Sequence, residues 1–188
     1  MADRHIQLDS RALRVLAHPL RARLLSELRV HGPANPTALA KRLATNTGAT
    51  SYHLRKLADV GLVVETDGGQ GKERFWAAAQ DSHGWRDTQA RGDQDALAAA
   101  SWLRQHYWQQ FAERTVRWEE VRQDWPGPWQ EAAASSDGIV ELSAEQLGAL
   151  VEELYAVVRR YREVPPADGA RQVVVNLFAM PVDPEDLP

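Results

Sequence analysis

The sequence predicts a mostly helical α+β fold, and three patterns predict it. Four helix starts are packed into the first sixty residues, two of them marked by a polar cap followed by proline. A β-branched run, a glycine-rich turn and an aromatic run then read as a hairpin. Beyond it come a long helix with apolar residues about 3.5 apart and a strand-helix-strand pattern. The expected organisation is an N-terminal module over residues 1–80, a linker over 81–92, a helical and βαβ module over 93–180, and a frayed acidic tail over 181–188.

Each element has its own warrant. Ser10 is read as the cap of a first helix carrying Leu13, Val15, Leu16 and Ala17, which ends near His18 because the residue before Pro19 disfavours helix. Pro19 opens a second helix whose Leu20, Leu24, Leu25 and Leu28 repeat every three or four residues up to Gly32. Asn35-Pro36 repeats the start, with Leu39, Ala40 and Leu43 as the apolar side of a short third helix. Thr47 is read as the cap of a fourth helix to about Val60, stopped by Gly61. Leu62-Val63-Val64-Glu65 and Arg74-Phe75-Trp76-Ala77 are the hairpin strands, joined through Asp67-Gly68-Gly69-Gln70-Gly71.

In the second module Asp93 caps a helix to about Trp125, in which Leu97, Ala100, Leu103, Tyr107, Phe111, Trp118, Val121 and Trp125 form one stripe. Pro126-Gly127-Pro128 ends it. Residues 139–142 read as a strand, Ser143 with Gln146 as a capping box, and Leu147, Leu150, Val151, Leu154, Val157, Val158 and Tyr161 as the apolar side of the next helix. Residues 172–179 read as the closing strand. The long stripe is expected to form a homodimer through Leu97, Leu103, Tyr107, Phe111 and Trp118, with an apolar small-molecule effector site between that helix and residues 139–180 as the alternative use of the aromatic surface.

Charge separates the modules. Residues 1–80 hold 12 Lys and Arg against 7 Asp and Glu, and residues 81–188 hold 10 against 19, so a net of -4 conceals a basic half and an acidic one. A basic module can neutralise phosphates; an acidic one is repelled by them. The chain has no cysteine, which removes disulfides and thiolate metal ligands and fits a cytoplasmic setting. No apolar run approaches the roughly 20 residues of a membrane span, so no membrane partner is expected.

On the fourth helix, at about 100° per residue, Leu54 and Leu57 face inward while Gly48, Tyr52, Arg55 and Lys56 face outward, with Ala49 and Ser51 on the flanks. Small residues in the first turn let a helix backbone approach the major groove, and Tyr52 and Arg55 one turn on can reach base edges or phosphates. Lys72 and Arg74 lie just past the glycine tip, where a wing touches phosphate or the minor groove. Double-stranded DNA is therefore the expected partner. His53 is read as a packed or helix-bridging imidazole and stays outside the DNA-facing set.

Leu16-Ala17-His18-Pro19-Leu20-Arg21-Ala22-Arg23-Leu24-Leu25, Ala49-Thr50-Ser51-Tyr52-His53-Leu54-Arg55-Lys56-Leu57, Gly61-Leu62-Val63 and Gly71-Lys72-Glu73-Arg74-Phe75-Trp76 occur in that order. Through them the chain resembles the ArsR-type winged helix-turn-helix regulators, in a subgroup with a long C-terminal extension, over about residues 10–80. The resemblance implies a homodimer that sets two recognition helices into successive major grooves of a pseudo-palindromic operator and represses transcription. It also implies that Thr47, Gly48, Ser51, Tyr52 and Arg55 occupy DNA-facing positions.

Sensing departs from that pattern. Metal-sensing members use cysteines or sets of His, Asp and Glu, whereas this chain has no cysteine and its six histidines show no i,i+4 pair, so neither metal nor cofactor is expected. A phosphate-binding glycine loop, a G-x-S-x-G elbow and an H-E-x-x-H helix are all missing, which argues against an enzyme. The rival reading is a non-regulatory interaction module that uses the same scaffold for RNA or protein.

Overall fold

A computed structural model describes residues 5–66, 74–183 and 185. The chain divides into two compact units, with the division between Gln109 and Gln110 inside one helix.

The first unit begins with β1 (His5–Gln7) and four helices: α1 (Ser10–Leu16), α2 (Pro19–His31), α3 (Pro36–Arg42) and α4 (Thr47–Ala58). The caps lie one residue earlier than expected at two starts. Asp9 Oδ1 accepts from the Ala12 amide at 2.7 Å, making Ser10 the first helical residue, and Asn46 Oδ1 accepts from the Ala49 amide at 2.8 Å, making Thr47 the first of α4. Where polar residues stand in pairs, either can cap, and an aspartate or asparagine just outside the helix has the stronger acceptor. His18 and Asn35 cap α2 and α3 ahead of their prolines. Gly61, at φ +71°, turns the chain out of α4 in a conformation that a side chain disfavours.

The hairpin pairs β2 (Val63–Thr66) with β3 (Phe75–Ala78) antiparallel, Val63 opposite Ala78 and Thr66 opposite Phe75. Ala34, between α2 and α3, exchanges both backbone hydrogen bonds with Trp76 at 2.9 and 3.0 Å and adds a third rung. The glycine-rich turn of the hairpin lies outside the described residues. A further strand, β4 (Ser82–Gly84), runs parallel to β1, and a 3-10 turn (Asp87–Ala90) leads into α5 (Gln94–Val121). The linker expected over 81–92 is thus corrected: part of it is a strand and part a turn. Its polar composition hid both, since β4 takes its partner from residues nearly eighty positions away and Ala90 is buried.

The core of this unit is built from Leu8, Leu13, Leu16, Leu24, Leu25, Leu39, Leu54, Leu57, Leu62 and Val63, with Trp76 closing it from the hairpin and Ala96, Ala100 and Leu103 from α5. Asp93 accepts from the Ala96 amide at 3.0 Å and pairs with Arg14 of α1, which fixes the start of α5 against the helical cluster.

The second unit contains the rest of α5, a 3-10 turn (Arg122–Asp124), α6 (Gly127–Ala132) and α7 (Ala144–Glu163). α5 stops at Val121, a few residues short of the expected Trp125. α7 opens with the expected capping box: the Ser143 amide donates to Gln146 Oε1 at 2.8 Å and the Gln146 amide to Ser143 Oγ at 3.2 Å. Residues 139–142 and 172–179 are not strands, so the expected strand-helix-strand unit is corrected to a helix flanked by irregular chain. β-branched composition gives only a propensity; a strand also needs a ladder partner, and neither segment pairs with another among the described residues. Among the described residues of this unit none is buried. Its ordered contacts are aromatic: Trp118 meets Trp125 edge-on at 5.5 Å, Trp125 meets Trp129 at 5.8 Å, and Phe111 meets Phe178 at 5.3 Å.

Candidate nucleic-acid interface

α4 is held from its inner side. Leu54 and Leu57 are fully buried, and so is Thr50, whose hydroxyl donates to the Asn46 carbonyl at 3.0 Å. With those three facing inward, the pitch of the helix turns Gly48, Tyr52, Arg55 and Lys56 to solvent and leaves Ala49 and Ser51 partly covered on the flanks, while Thr47 is exposed as the first residue of the helix. Five of the sequence-predicted DNA-facing residues therefore share one exposed strip, with two more on its flanks.

The strip is small at its start and cationic at its end. A Cβ built on Gly48 would stand 3.3 Å from Asn46 Oδ1, the atom that caps the helix, so this glycine keeps the first turn narrow and its cap undisturbed. Lys56 Nζ lies 5.7 Å from the centre of the Tyr52 ring and 3.9 Å from Asp59, which holds the ammonium along the helix beside the aromatic ring. Such a surface presents hydroxyl, aromatic and cationic groups to a groove about as wide as a helix.

The hairpin contributes less free cationic reach than its sequence suggests. Arg74 is exposed but donates to Glu65 at 3.0 Å across the two strands, so a phosphate must compete with that carboxylate. Lys72, the other wing residue of the sequence reading, lies outside the described residues.

Behind the strip sits a polar corner that the sequence reading left largely unassigned. Arg21 of α2 donates through Nε to the Val15 carbonyl at the end of α1 and approaches His53 Nδ1 of α4 with Nη1 at 3.4 Å. The His18 and His53 rings are tilted against each other with centroids 4.4 Å apart, and Tyr52 meets His53 edge-on at 5.1 Å. Burial, then the Arg21 charge, lowers His18; burial, then His18 and Arg21, lowers His53. The available signal was the His18-Pro19-Leu20-Arg21 run and the partly buried side of His53; helix-bridging, one of the roles open to His53, is the one found.

The long-helix stripe is dispersed. Leu103 is wholly buried in the first unit's core, which corrects it from a subunit-interface position to an internal one, and Tyr107 packs partly buried on that core with its hydroxyl 2.9 Å from His83. The physical reason is that an apolar period marks a buried face without naming what buries it. Leu97 is exposed on the first unit, whereas Phe111 and Trp118 meet Phe178 and Trp125 in the second. Among the described residues no three His, Asp or Glu side chains gather as a metal could use them, and no helix is long and apolar enough to cross a membrane.

Among curated proteins no relative is found. Solved structures similar to this chain include a protein described as a possible transcriptional regulator for arsenical resistance, 28% identical over 58% of this chain and 95% of its own, with a TM-score of 0.33. Another is the adhesin competence repressor AdcR of Streptococcus pyogenes, 14% identical over 78% of this chain and 83% of its own, TM-score 0.35. A third is RV1404 of Mycobacterium tuberculosis, 15% identical over 83% and 84%, TM-score 0.33. Residues 16–66, from the end of α1 to the end of β2, match the family described as helix-turn-helix domain, and over that span the chain carries such a domain with α4 as its second, outward-facing helix.

Proposed function

We propose that the chain is a sequence-specific, double-stranded-DNA-binding transcriptional regulator of the ArsR type, working as a homodimeric repressor in the cytoplasm. The observation that carries the reading is the exposed strip Thr47, Gly48, Tyr52, Arg55 and Lys56 on a helix whose opposite side is fully buried. Bases are read through the strip's hydroxyl, aromatic and guanidinium groups, and the cations supply the salt-dependent attraction to phosphate. The helix-turn-helix match over residues 16–66 supports the same reading.

Dimerisation belongs, on this reading, to residues 93–180. Leu97 and the exposed Leu154, Val157 and Tyr161 of α7 offer apolar surface for a second copy, and a two-fold would match the two halves of a pseudo-palindromic operator. An apolar small molecule could act as effector only by binding the DNA-competent and incompetent arrangements of that dimer unequally.

The test is a titration of the full chain onto its own upstream DNA and onto a scrambled duplex of equal length, at two salt concentrations, with anisotropy and complex mass read together. Preferential binding of the upstream duplex with the mass of two chains is the expected result. Equal, steeply salt-dependent binding to both would leave a nonspecific DNA binder, and no binding at low salt would overturn the reading in favour of a protein-interaction module.

A further inference from the structure

We propose that Arg21 is a positioning residue for the DNA-facing strip of α4, acting through His53 and His18, whose two Nδ1 atoms must both stay unprotonated for the corner to hold. The inference rests on the DNA-binding reading for its consequence, but its geometry stands apart from that reading.

Three contacts make the corner. Arg21 Nε is spent on the Val15 carbonyl at the end of α1, so its remaining fork reaches α4 in a fixed direction and meets His53 Nδ1 at 3.4 Å. A guanidinium only donates, so this Nδ1 is an acceptor and the proton of the neutral ring sits on Nε2. His18 Nδ1 accepts from the Leu20 amide at 3.2 Å, capping α2, so this ring too carries its proton on Nε2. The rings lie 4.4 Å apart. Arg21 thus joins the end of α1 and the start of α2 to the middle of α4, and both imidazoles take part as acceptors.

Protonation reverses each contact. An imidazolium has a proton on both nitrogens, so His18 would lose the cap of α2 and His53 would point an N–H at a guanidinium. Both new charges would also lie beside Arg21 and beside each other. Of the charged groups on elements packed against α4, Arg14 of α1 pairs with Asp93, Glu27 of α2 with Arg42 of α3 and with His31, Arg29 of α2 with His83, and Glu65 of β2 with Arg74, while Arg11, Arg23 and Lys41 add only positive charge to these elements. On α4 itself, Tyr52 faces Arg21 and Lys56 lies over the Tyr52 ring, which adds a further cation near the corner. The lowered His18 and His53 values agree with this arrangement.

The sign of the effect separates this role from ordinary charge attraction. A histidine that merely faces DNA gains affinity for phosphate on protonation, so acid tightens binding. A corner that needs both rings neutral loosens in acid, and the strip it orients loses its fit to the groove.

The experiment has two arms on the full chain. In the first, NMR titration of the imidazole carbons without DNA is expected to place His18 and His53 below 6.5, with Arg21→Gln moving both up toward it. In the second, affinity for the upstream duplex is measured at fixed salt at pH 7.5 and at one pH unit below the lower of the two ring values read in the first arm. The wild-type chain is expected to lose about tenfold or more in acid, as for one lost charged hydrogen bond, while the His18→Asn, His53→Asn double variant, whose Oδ1 atoms can accept but not protonate, keeps its affinity at both.

Wild-type affinity that is constant or rises in acid would overturn the proposal. So would a loss that persists in the double asparagine variant, because that loss would arise elsewhere in the fold. Should Arg21→Gln fail to fold, the asparagine pair alone decides. Should the wild-type chain bind no DNA at pH 7.5, the DNA-binding reading falls, and the corner is then judged by the first arm, where ring values unmoved by Arg21→Gln would sink it.

Discussion

His83 Nε2 lies 2.9 Å from the Tyr107 hydroxyl, and this bond joins β4 to α5 inside the first unit. Arg29 of α2 donates to the other ring nitrogen, Nδ1, so the Nε2 proton is donated to the Tyr107 oxygen. Trp85 stacks on the His83 ring at 6.3 Å. Burial, then the Arg29 and His5 charges, pushes the imidazole down to about 3, and burial pushes the Tyr107 hydroxyl up to about 12.

A base held neutral by the fold must be protonated before the unfolded chain's advantage is cancelled. The folded value lies below the unfolded 6.5, so the contribution of His83 is fully present above pH 6.5 and is lost as pH falls toward about 3. Thermal or urea melts of the wild type should therefore lose stability below pH 6.5, by up to about 1.4 kcal/mol per pH unit. His83→Gln, which cannot titrate, should show a shallower fall over the same window; an equal slope would show that His83 is not the group responsible.

Leu103→Ala should cost about 2–5 kcal/mol of stability in the first unit, the range for emptying a packed leucine site. Because Leu103 is fully buried against its own chain, the mass of the native assembly should stay the same. A change of mass with unchanged stability would return Leu103 to a subunit interface.

Ala44 stands at φ +51° in the turn between α3 and α4, with the following Thr45 amide donating to the Ala40 carbonyl at 2.9 Å. This is the position after a helix end where glycine is favoured, and a Cβ there costs about 1 kcal/mol. Ala44→Gly should accordingly stabilise the fold, by about 1 kcal/mol less the entropy glycine adds to the unfolded chain, and this is read as a raised urea midpoint. A lowered midpoint would mean that the alanine conformation is not strained.

Two substitutions on the proposed DNA-facing surface should act in opposite directions. Arg55→Ala should weaken binding to the upstream duplex by roughly 1–3 kcal/mol if it meets a base edge, with a smaller loss on scrambled DNA. Glu65→Gln should strengthen binding to both duplexes, since it releases Arg74 from a 3.0 Å ion pair and removes a negative charge that faces phosphate. Anisotropy at two salt concentrations reads both; a Glu65→Gln variant with unaltered affinity would place the hairpin away from the duplex.

The first unit was legible because its signals are local. Pro19 and Pro36 mark helix starts wherever the helices finally pack, and Gly61 marks an end, so α2, α3 and α4 and the outward strip of α4 could be placed from the residues alone. What was hidden depends on distant partners. Ser82–Gly84 is a strand only because His5–Gln7 lies beside it, and Leu103 is internal only because α5 turns that side to the helical cluster. Residues 139–142 and 172–179 show the converse, with strand composition and no ladder. The Arg21 corner was missed because its three members come from a helix end, a cap and the partly covered side of α4, and no spacing in the chain joins them.

The absence of buried residues among those described beyond Gln109 has a consequence for how the chain behaves when diluted. Apolar side chains that all reach water contribute little to order on their own, so the free energy that keeps them in place depends on mass action with whatever covers them. If that cover is the second copy proposed above, dilution works on that half as a denaturant does and leaves the half with the leucine core untouched. A protease added at decreasing protein concentration should therefore cut first and increasingly beyond residue 109, so that the cellular abundance of the chain sets how much of its length is ordered at any moment.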